Sequence, residues 1–89
     1  MAELCRFCGM IIQIYFRDTI RHYKPHIHVI FAEYEASVGI DGTVLAGELP
    51  KKQFAYLRAW ISLHEEELYE AWAHAVSREP VGKIEPLDI

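Results

Sequence analysis

Residues 26–49 constrain the fold more than any other part of this 89-residue sequence. Apolar residues alternate there with polar or small ones, which is the period of a strand with one buried face. The alternating runs are separated at Ala32 and Glu33 and again at Asp41 and Gly42. Asp41 and Gly42 are predicted to form a two-residue turn, because both residues tolerate the positive φ that such turns need. A second tight turn fits at Ala32 and Glu33. The stretch therefore predicts a three-stranded antiparallel meander.

These two turns fix a strand register, which can be tested against the hydrophobic pattern. On one face every predicted rung is apolar or glycine, so this face is expected to meet the core. Its rungs are Phe31 with Tyr34 and Leu49, Val29 with Ala36 and Gly47, and Ile27 with Val38 and Leu45. The rungs of the opposite face are His26 with Gly39 and Val44, His28 with Ser37 and Ala46, and Ile30 with Glu35 and Glu48.

The flanking segments complete the predicted fold. Residues 10–16 are β-branched and aromatic and predict a strand, and the polar residues 17–25 predict a loop. From Pro50 onward apolar residues recur at spacings of three and four, as in an amphipathic helix, and Ser62 with Glu65 has the spacing of a capping box. Two helices, or one kinked near Ser62, are expected, followed by a tail over residues 81–88 that docks as a short extended segment. The predicted fold class is α+β: one domain over residues 1–89, with an antiparallel β-meander of three to four strands packed on one face by two C-terminal helices.

Composition narrows the functional classes. Apolar residues make up 52% of the chain, enough for a modest core without a metal or a disulfide. No apolar run approaches the roughly 20 residues of a membrane span, and the first residues do not have the pattern of a signal peptide, so a cytoplasmic location with reduced cysteines is expected. The net charge of −4 argues against a general nucleic-acid binder, whose footprint is basic.

Three histidines are the main candidates for chemistry. A His-x-His pair on a strand, His26 and His28, directs both rings to one side, and His22 precedes them. Histidine serves as a general acid or base near neutral pH, so these residues are the predicted catalytic group. Arg17, Arg21 and Lys24 lie close by in sequence and form a predicted anion-binding cluster. The alternative is that the histidines only line a half-exposed face.

A metal site is a further possibility. His26 and His28 offer two nitrogens to a divalent metal, although the sequence defines no third ligand. Cys5 and Cys8 form a Cys-x-x-Cys pair that is half of a zinc site, but no second such pair follows. The cysteines are therefore expected to be structural or incidental, and no cofactor is predicted apart from a possible divalent metal. The sequence has no phosphate loop, nucleophile elbow or glycine-rich fingerprint.

Short motifs along nearly the whole chain point to one family. They are Cys5-Arg6-Phe7 with Gly9, Tyr15-Phe16 with Asp18, Pro25-His26-Ile27-His28-Val29, Tyr34-Glu35-Ala36, Gly47 with Leu49-Pro50, Trp60 with Leu63-His64, Glu67-Leu68, Trp72, and Lys83-Ile84-Glu85-Pro86-Leu87. In these the sequence resembles the small bacterial proteins grouped as domain of unknown function 4160. It departs from their pattern in two places: Lys24 stands where the family has the first of two prolines, and three residues separate Asp18 from His22.

The resemblance implies no established activity. It implies that the gene lies beside a second short gene, of domain of unknown function 2442, in a layout like that of toxin–antitoxin pairs. The favoured hypothesis is therefore a protein-interaction module that acts with a small partner protein of that type. The alternatives are a small ribonuclease-type toxin, with His26 and His28 as acid and base and the basic cluster on phosphate, and a metal-binding domain. Binding of nucleic acid is possible but not favoured, and no membrane association is expected.

Overall fold

A computed structural model of the protein describes residues 2–14 and 24–87. In these residues the elements follow the order β1 (Ala2–Phe7), β2 (Met10–Ile14), β3 (His26–Phe31), β4 (Tyr34–Gly39), β5 (Val44–Gly47), α1 (Lys51–Leu63) and α2 (Glu65–Val76). The strands form one antiparallel sheet in sequence order. The predicted α+β class and the meander are confirmed. The predicted number of three to four strands is wrong, because the described sheet has five strands.

The additional strand is β1, and its sequence explains why alternation does not reveal it. A register shift between Glu3 and Cys5 places an extra residue in this strand, so the neighbours Leu4 and Cys5 are both buried. The turn from β1 to β2 is made by Cys8 and Gly9, whose φ angles are +51° and +77°. Cysteine here takes a position that asparagine or aspartate usually occupies in such turns. The strand therefore lacks regular alternation and its turn lacks the usual Asn or Asp, so Gly9 is the one common hairpin residue present.

The predicted register between β3 and β4 is confirmed throughout. The six observed pairs run from His26 opposite Gly39 to Phe31 opposite Tyr34. The tight turn at Ala32 and Glu33 makes this register possible, and Ala32 adopts a φ of +51° there. The predicted core face of these two strands is buried at Ile27, Val29, Ala36 and Val38, which are at most 3% exposed.

The register between β4 and β5 is only partly as predicted. Ala36 lies opposite Gly47 and Ser37 opposite Ala46, as expected, but a register shift then places Val38 opposite Val44 instead of Leu45. The predicted pairing of Gly39 with Val44 is therefore wrong, and the described ladder does not extend to the predicted pair of Tyr34 and Leu49.

The cause of this shift lies in the turn. The predicted two-residue turn at Asp41 and Gly42 would keep Ile40 in the ladder. Instead, the Ile40 N–H donates to the carbonyl oxygen of Pro25 at 3.1 Å, and the Ile40 side chain is buried. The chain thus leaves the ladder at Gly39, and the Gly39 N–H closes a longer turn by donating to Thr43 O at 2.7 Å.

Both helices contribute their apolar stripe to the core. The buried residues are Leu57, Trp60 and Ile61 in α1 and Leu68, Ala71 and Ala75 in α2. The Trp60 ring lies 5.4 Å from the ring of Phe7 in β1. Because 3.6 residues complete one turn, these spacings put each set on one side of its helix. Neither helix of the described residues is long and apolar enough to cross a membrane.

The two helices meet at His64, not at the predicted capping box. His64 ends α1 and precedes α2, with no side-chain hydrogen bond to the backbone as a cap. Its Nδ1–H instead donates to the Glu67 carboxylate at 2.8 Å, and its ring packs 5.5 Å from the Trp60 ring. The interruption that the sequence predicts near Ser62 thus occurs two residues later, at His64.

The C-terminal tail docks beside β1, as predicted. The Ile84 N–H donates to the carbonyl oxygen of Leu4 at 2.9 Å, and the Ile84 side chain is 7% exposed. The indole N–H of Trp60 donates to the carbonyl oxygen of Glu85 at 2.7 Å. The tail therefore covers part of one edge of the sheet.

Gly47 provides a test of the β4–β5 geometry. Its φ is +74°, and a Cβ at this position would lie 2.1 Å from the carbonyl oxygen of Glu35. We expect Gly47→Ala to lower the free energy of unfolding by about 1–3 kcal/mol, measured by urea denaturation. Gly82→Ala is the matched control, since a Cβ there meets nothing within 4 Å, and it should change stability by less than about 0.5 kcal/mol. Equal stability of the two variants would contradict the described approach of Gly47 to β4.

Candidate functional site

The His-x-His pair opens β3, as the sequence predicts, and His28 is held by two neighbours on β4. Its Nε2–H donates to the Glu35 carboxylate at 2.8 Å, and the Ser37 hydroxyl lies 3.3 Å from its Nδ1. Because a carboxylate only accepts hydrogen bonds, the neutral ring carries its proton on Nε2 and accepts at Nδ1. The side chain of His28 is 20% exposed, so this group lies at the surface of the sheet.

His26 has a different environment, although it is only two residues away. It is 2% exposed, and its ring lies 4.9 Å from the ring of Trp72 in α2. Its Nδ1–H donates to the carbonyl oxygen of Lys24 at 2.8 Å. The sequence places both histidines on the face opposite the predicted core face, and would therefore direct both rings away from the helices. This expectation is wrong for His26, because the first residue of the strand lies close enough to α2 to pack against Trp72.

These environments limit what the pair can do chemically. A general base needs an unprotonated nitrogen within reach of the substrate proton. In His28 both nitrogens have partners on β4, so proton abstraction at Nδ1 would require the Ser37 hydroxyl to turn away. What His28 has is an orienting carboxylate, Glu35, of the kind that fixes the ring of a catalytic histidine.

Of the predicted anion-binding cluster, the described residues include only Lys24. Its ammonium forms an ion pair with the Asp41 carboxylate and lies 3.4 Å from the Thr43 hydroxyl. The charge of Lys24 is thus balanced within the β4–β5 turn region. Arg17, Arg21 and the predicted catalytic residue His22 lie outside the described residues.

Asp41 is strongly affected by this pairing. The hydrogen bond from Lys24, with a further one from the backbone N–H of Thr43 at 3.0 Å, lowers the pKa of Asp41 from 3.8 to about 2. Both donors stabilise the charged carboxylate, which is why its proton is lost at lower pH. The turn therefore carries an ionised aspartate at neutral pH.

The cysteines and histidines do not come together as a metal site in the described part of the chain. Cys5 and Cys8 are both free thiols, and no group of three or more His, Cys, Asp or Glu side chains in residues 2–14 and 24–87 is arranged to hold a metal ion. Cys5 is 5% exposed, and burial raises the pKa of its thiol. Since the thiolate is the metal ligand and the nucleophile, this environment favours a structural role for Cys5.

Sequence reasoning missed the partners that define these environments. The predicted register places Glu35 beside Ile30, one rung away from His28. In the sequence, however, Glu35 stands out only because it shares that rung with a second carboxylate, Glu48. The sequence pattern predicts only a turn at Asp41 and does not indicate its pairing with Lys24. For the contact of Trp72 with His26 the sequence contains no marker, because these two residues are 46 positions apart and lie in different elements.

The comparison with known proteins gives a family but no function. The sequence profile of the family described as Domain of unknown function (DUF4160) matches residues 9–73 of the 89. The chain belongs to this family. The match begins in the β1–β2 turn of this DUF4160 protein and ends in α2, and thus includes β3 with both histidines. No curated protein and no solved structure matches this DUF4160 chain.

The ion pair of Lys24 and Asp41 predicts a particular pH dependence of stability. An acid whose pKa is lowered by folding contributes stability above its unfolded pKa, here 3.8, and this contribution disappears as pH falls toward about 2. We expect the wild type to lose more stability than Asp41→Asn between pH 5 and about pH 2, measured by thermal unfolding. Lys24→Met should reduce the loss in the same way, whereas parallel pH profiles of all three proteins would contradict the pairing.

Proposed function

We propose that this protein is a protein-interaction module that acts with a small partner protein, and that the partner contacts the open edge of the sheet at β5. The observation that carries the proposal is the difference between the two edges. At β1 the chain's own tail donates a backbone hydrogen bond to Leu4 and buries Ile84. At β5, within the described residues, the strand pairs with β4 alone. A strand with one unpaired side offers backbone donors and acceptors to another chain.

The side chains of β5 support this interpretation. Val44–Gly47 contains no charged residue and no proline. These are the residue types that most often protect an edge strand from pairing with another chain. Val44 is 44% exposed, and Ala46 and Gly47 are also exposed. An extended segment of another protein can pair with such an edge through its backbone and gain specificity from alternate side chains. The strand is only four residues long, which limits pairing to a short segment.

The nature of the partner is proposed from the family resemblance, not from the geometry. We infer that it is a small protein of domain of unknown function 2442, encoded by the neighbouring gene in a toxin–antitoxin-like arrangement. We place the interaction in the cytoplasm, where Cys5 and Cys8 stay reduced. This part of the proposal rests on association alone, so the experiment below tests it separately from the edge.

One arrangement favours the alternative of a small ribonuclease-type toxin. His28 lies beside Glu35 at 2.8 Å on a partly exposed surface, and an imidazole oriented by a carboxylate can act as a general acid or base. His26 cannot share this role in the described geometry, because it is packed against Trp72. If the protein cleaves RNA, His28→Asn should reduce the cleavage rate by about 100-fold or more, and Glu35→Gln should shift the pH profile of the rate. A wild type that leaves a mixed RNA substrate intact would exclude this function.

The interaction proposal is tested by co-expression with the product of the neighbouring gene. We expect a stable complex, measured by titration calorimetry, and we expect Val44→Lys to weaken it by about tenfold or more, because a lysine on an edge strand opposes pairing. Leu63→Lys is the matched control: Leu63 is 67% exposed, it lies on α1, and its replacement should leave the affinity unchanged.

The outcomes separate the two parts of the proposal. A complex that neither substitution affects would reject the β5 edge while retaining the partner. The absence of any complex with a folded wild type would reject the partner.

A further inference from the structure

The C-terminal tail is attached to the rest of the structure at few points. Its Ile84 N–H donates to Leu4 O at 2.9 Å, and its Glu85 carbonyl oxygen accepts from the Trp60 indole N–H at 2.7 Å. In the described part of the chain, residues 80–87 form no other hydrogen bond. We call the surface formed by Leu4 in β1 and Trp60 in α1 the tail site.

The tail is recognised at this site through a short run of side chains. Ile84 is 7% exposed, and Leu87 packs half-buried against the core. The Lys83 ammonium lies 4.0 Å from the Glu3 carboxylate in β1. Pro86 is exposed and has no N–H, so this position leaves no backbone donor unpaired. The tail site therefore fits consecutive residues of the pattern basic, apolar, any residue, proline, apolar.

The connection between α2 and this segment restrains it little. Pro80, Gly82 and Lys83 are exposed, and a Cβ at Gly82 would meet nothing within 4 Å. An open cavity of about 210 Å³ lies between the connection and the side of α2 that carries Glu70 and His74. Few packing contacts and an exposed backbone are the properties of segments that open locally without unfolding of the whole domain. The tail can therefore leave its site while the sheet and the helices stay folded.

The tail site favours an occupant, because polar groups of two fully buried residues pair with the tail. Leu4 and Trp60 are both 0% exposed, and each would lose a hydrogen-bond partner if the tail left. A segment of another chain restores both bonds if it offers a backbone N–H and the carbonyl oxygen of the following residue. Every chain has such backbone groups, so the side-chain pattern determines which segment fits.

We propose that the chain's own tail is an exchangeable occupant of the tail site, and that a segment of a partner protein with the same pattern of side chains replaces it there. The tail is then an autoinhibitory contact, because it closes the site until such a partner is present. A second copy of this chain carries the same pattern but competes poorly. A tethered segment has an effective concentration in the millimolar range, which an identical segment of a free second copy does not reach. A partner that also contacts another surface of the protein gains the advantage that this competition requires.

The competition is tested with a fluorescent peptide of residues 81–87, which is titrated with the full-length protein and followed by fluorescence anisotropy. We expect Ile84→Asp to bind this peptide at least about tenfold more tightly than the wild type does, because its charged tail no longer competes for the site. Ile84→Ala should fall between the two, since alanine keeps part of the apolar contact. Val76→Asp is the matched control: Val76 is 47% exposed on α2, so this variant should bind the peptide like the wild type.

The indole signals in nuclear magnetic resonance spectra report where the peptide binds. The chain has two tryptophans, Trp60 and Trp72, and the indole of Trp60 is the one that donates to the tail. In Ile84→Asp the Trp60 N–H signal should move from its wild-type position. It should return toward that position when the peptide is added, because the peptide restores a carbonyl acceptor. The Trp72 signal is the internal reference and should not move on addition of the peptide.

Four results would overturn the proposal. The first is the same affinity, or no binding, for the wild type and both Ile84 variants. The second is binding that leaves the Trp60 signal unchanged, and the third is equally tight binding of a peptide that carries the Ile84→Asp change. The fourth is a wild-type dimer in sedimentation equilibrium that Ile84→Asp abolishes, which would assign the tail site to a second copy.

Two further measurements keep the test decisive. Circular dichroism establishes that each variant is folded, and Ile84→Ala carries the comparison if Ile84→Asp does not fold. Val44→Lys, which alters the β5 edge, should bind the peptide like the wild type. The tail site and the partner binding proposed at β5 therefore succeed or fail independently.

Discussion

The packing of the Trp60 side chain connects α1, β1, the helix junction and the C-terminal tail. Trp60 lies on the buried side of α1, contacts Phe7 at the end of β1 and packs against His64 at the helix junction. Its indole N–H also holds the tail through Glu85. Burial of an aromatic side chain of this size contributes several kcal/mol, and a buried indole N–H needs a hydrogen-bond partner. The tail supplies this partner, so the cover over the β1 edge and the helix packing depend on the same residue.

The sheet and the helices use their charges in different ways. Around the sheet, charged or ionisable groups are satisfied locally: Lys24 by Asp41, His28 by Glu35, and Arg6 by Glu3. In the helical layer the charges are kept apart on separate helices. An exposed ion pair contributes little to stability, so this separation costs the folded chain little.

The histidine pair illustrates how far alternation along a strand can be trusted. His26 and His28 share a strand and a parity, and the β3–β4 register that predicts their neighbours is confirmed rung by rung. Even so, one ring contacts the helix layer and the other contacts β4. Parity determines the side toward which a side chain leaves the strand, but at the first residue of a strand the helix packing decides what the ring meets. The Cys-x-x-Cys pair shows the same limit, since one cysteine is buried in β1 and the other forms a turn.

The sequence by itself determined the α+β class, the meander order of β2 to β5, the β3–β4 register and both helices, because each depends on local periodicity and turn chemistry. Only the tertiary structure decided the features that join distant residues. β1 could be recognised as a strand only from its pairing with β2 and its contact with the tail. The β4–β5 register is shifted because Ile40 is buried and its N–H donates to the carbonyl oxygen of Pro25. Trp72 reached His26 because α2 packs near the start of β3. Local patterns define which elements form, whereas burial and the need to satisfy backbone hydrogen bonds decide how those elements meet.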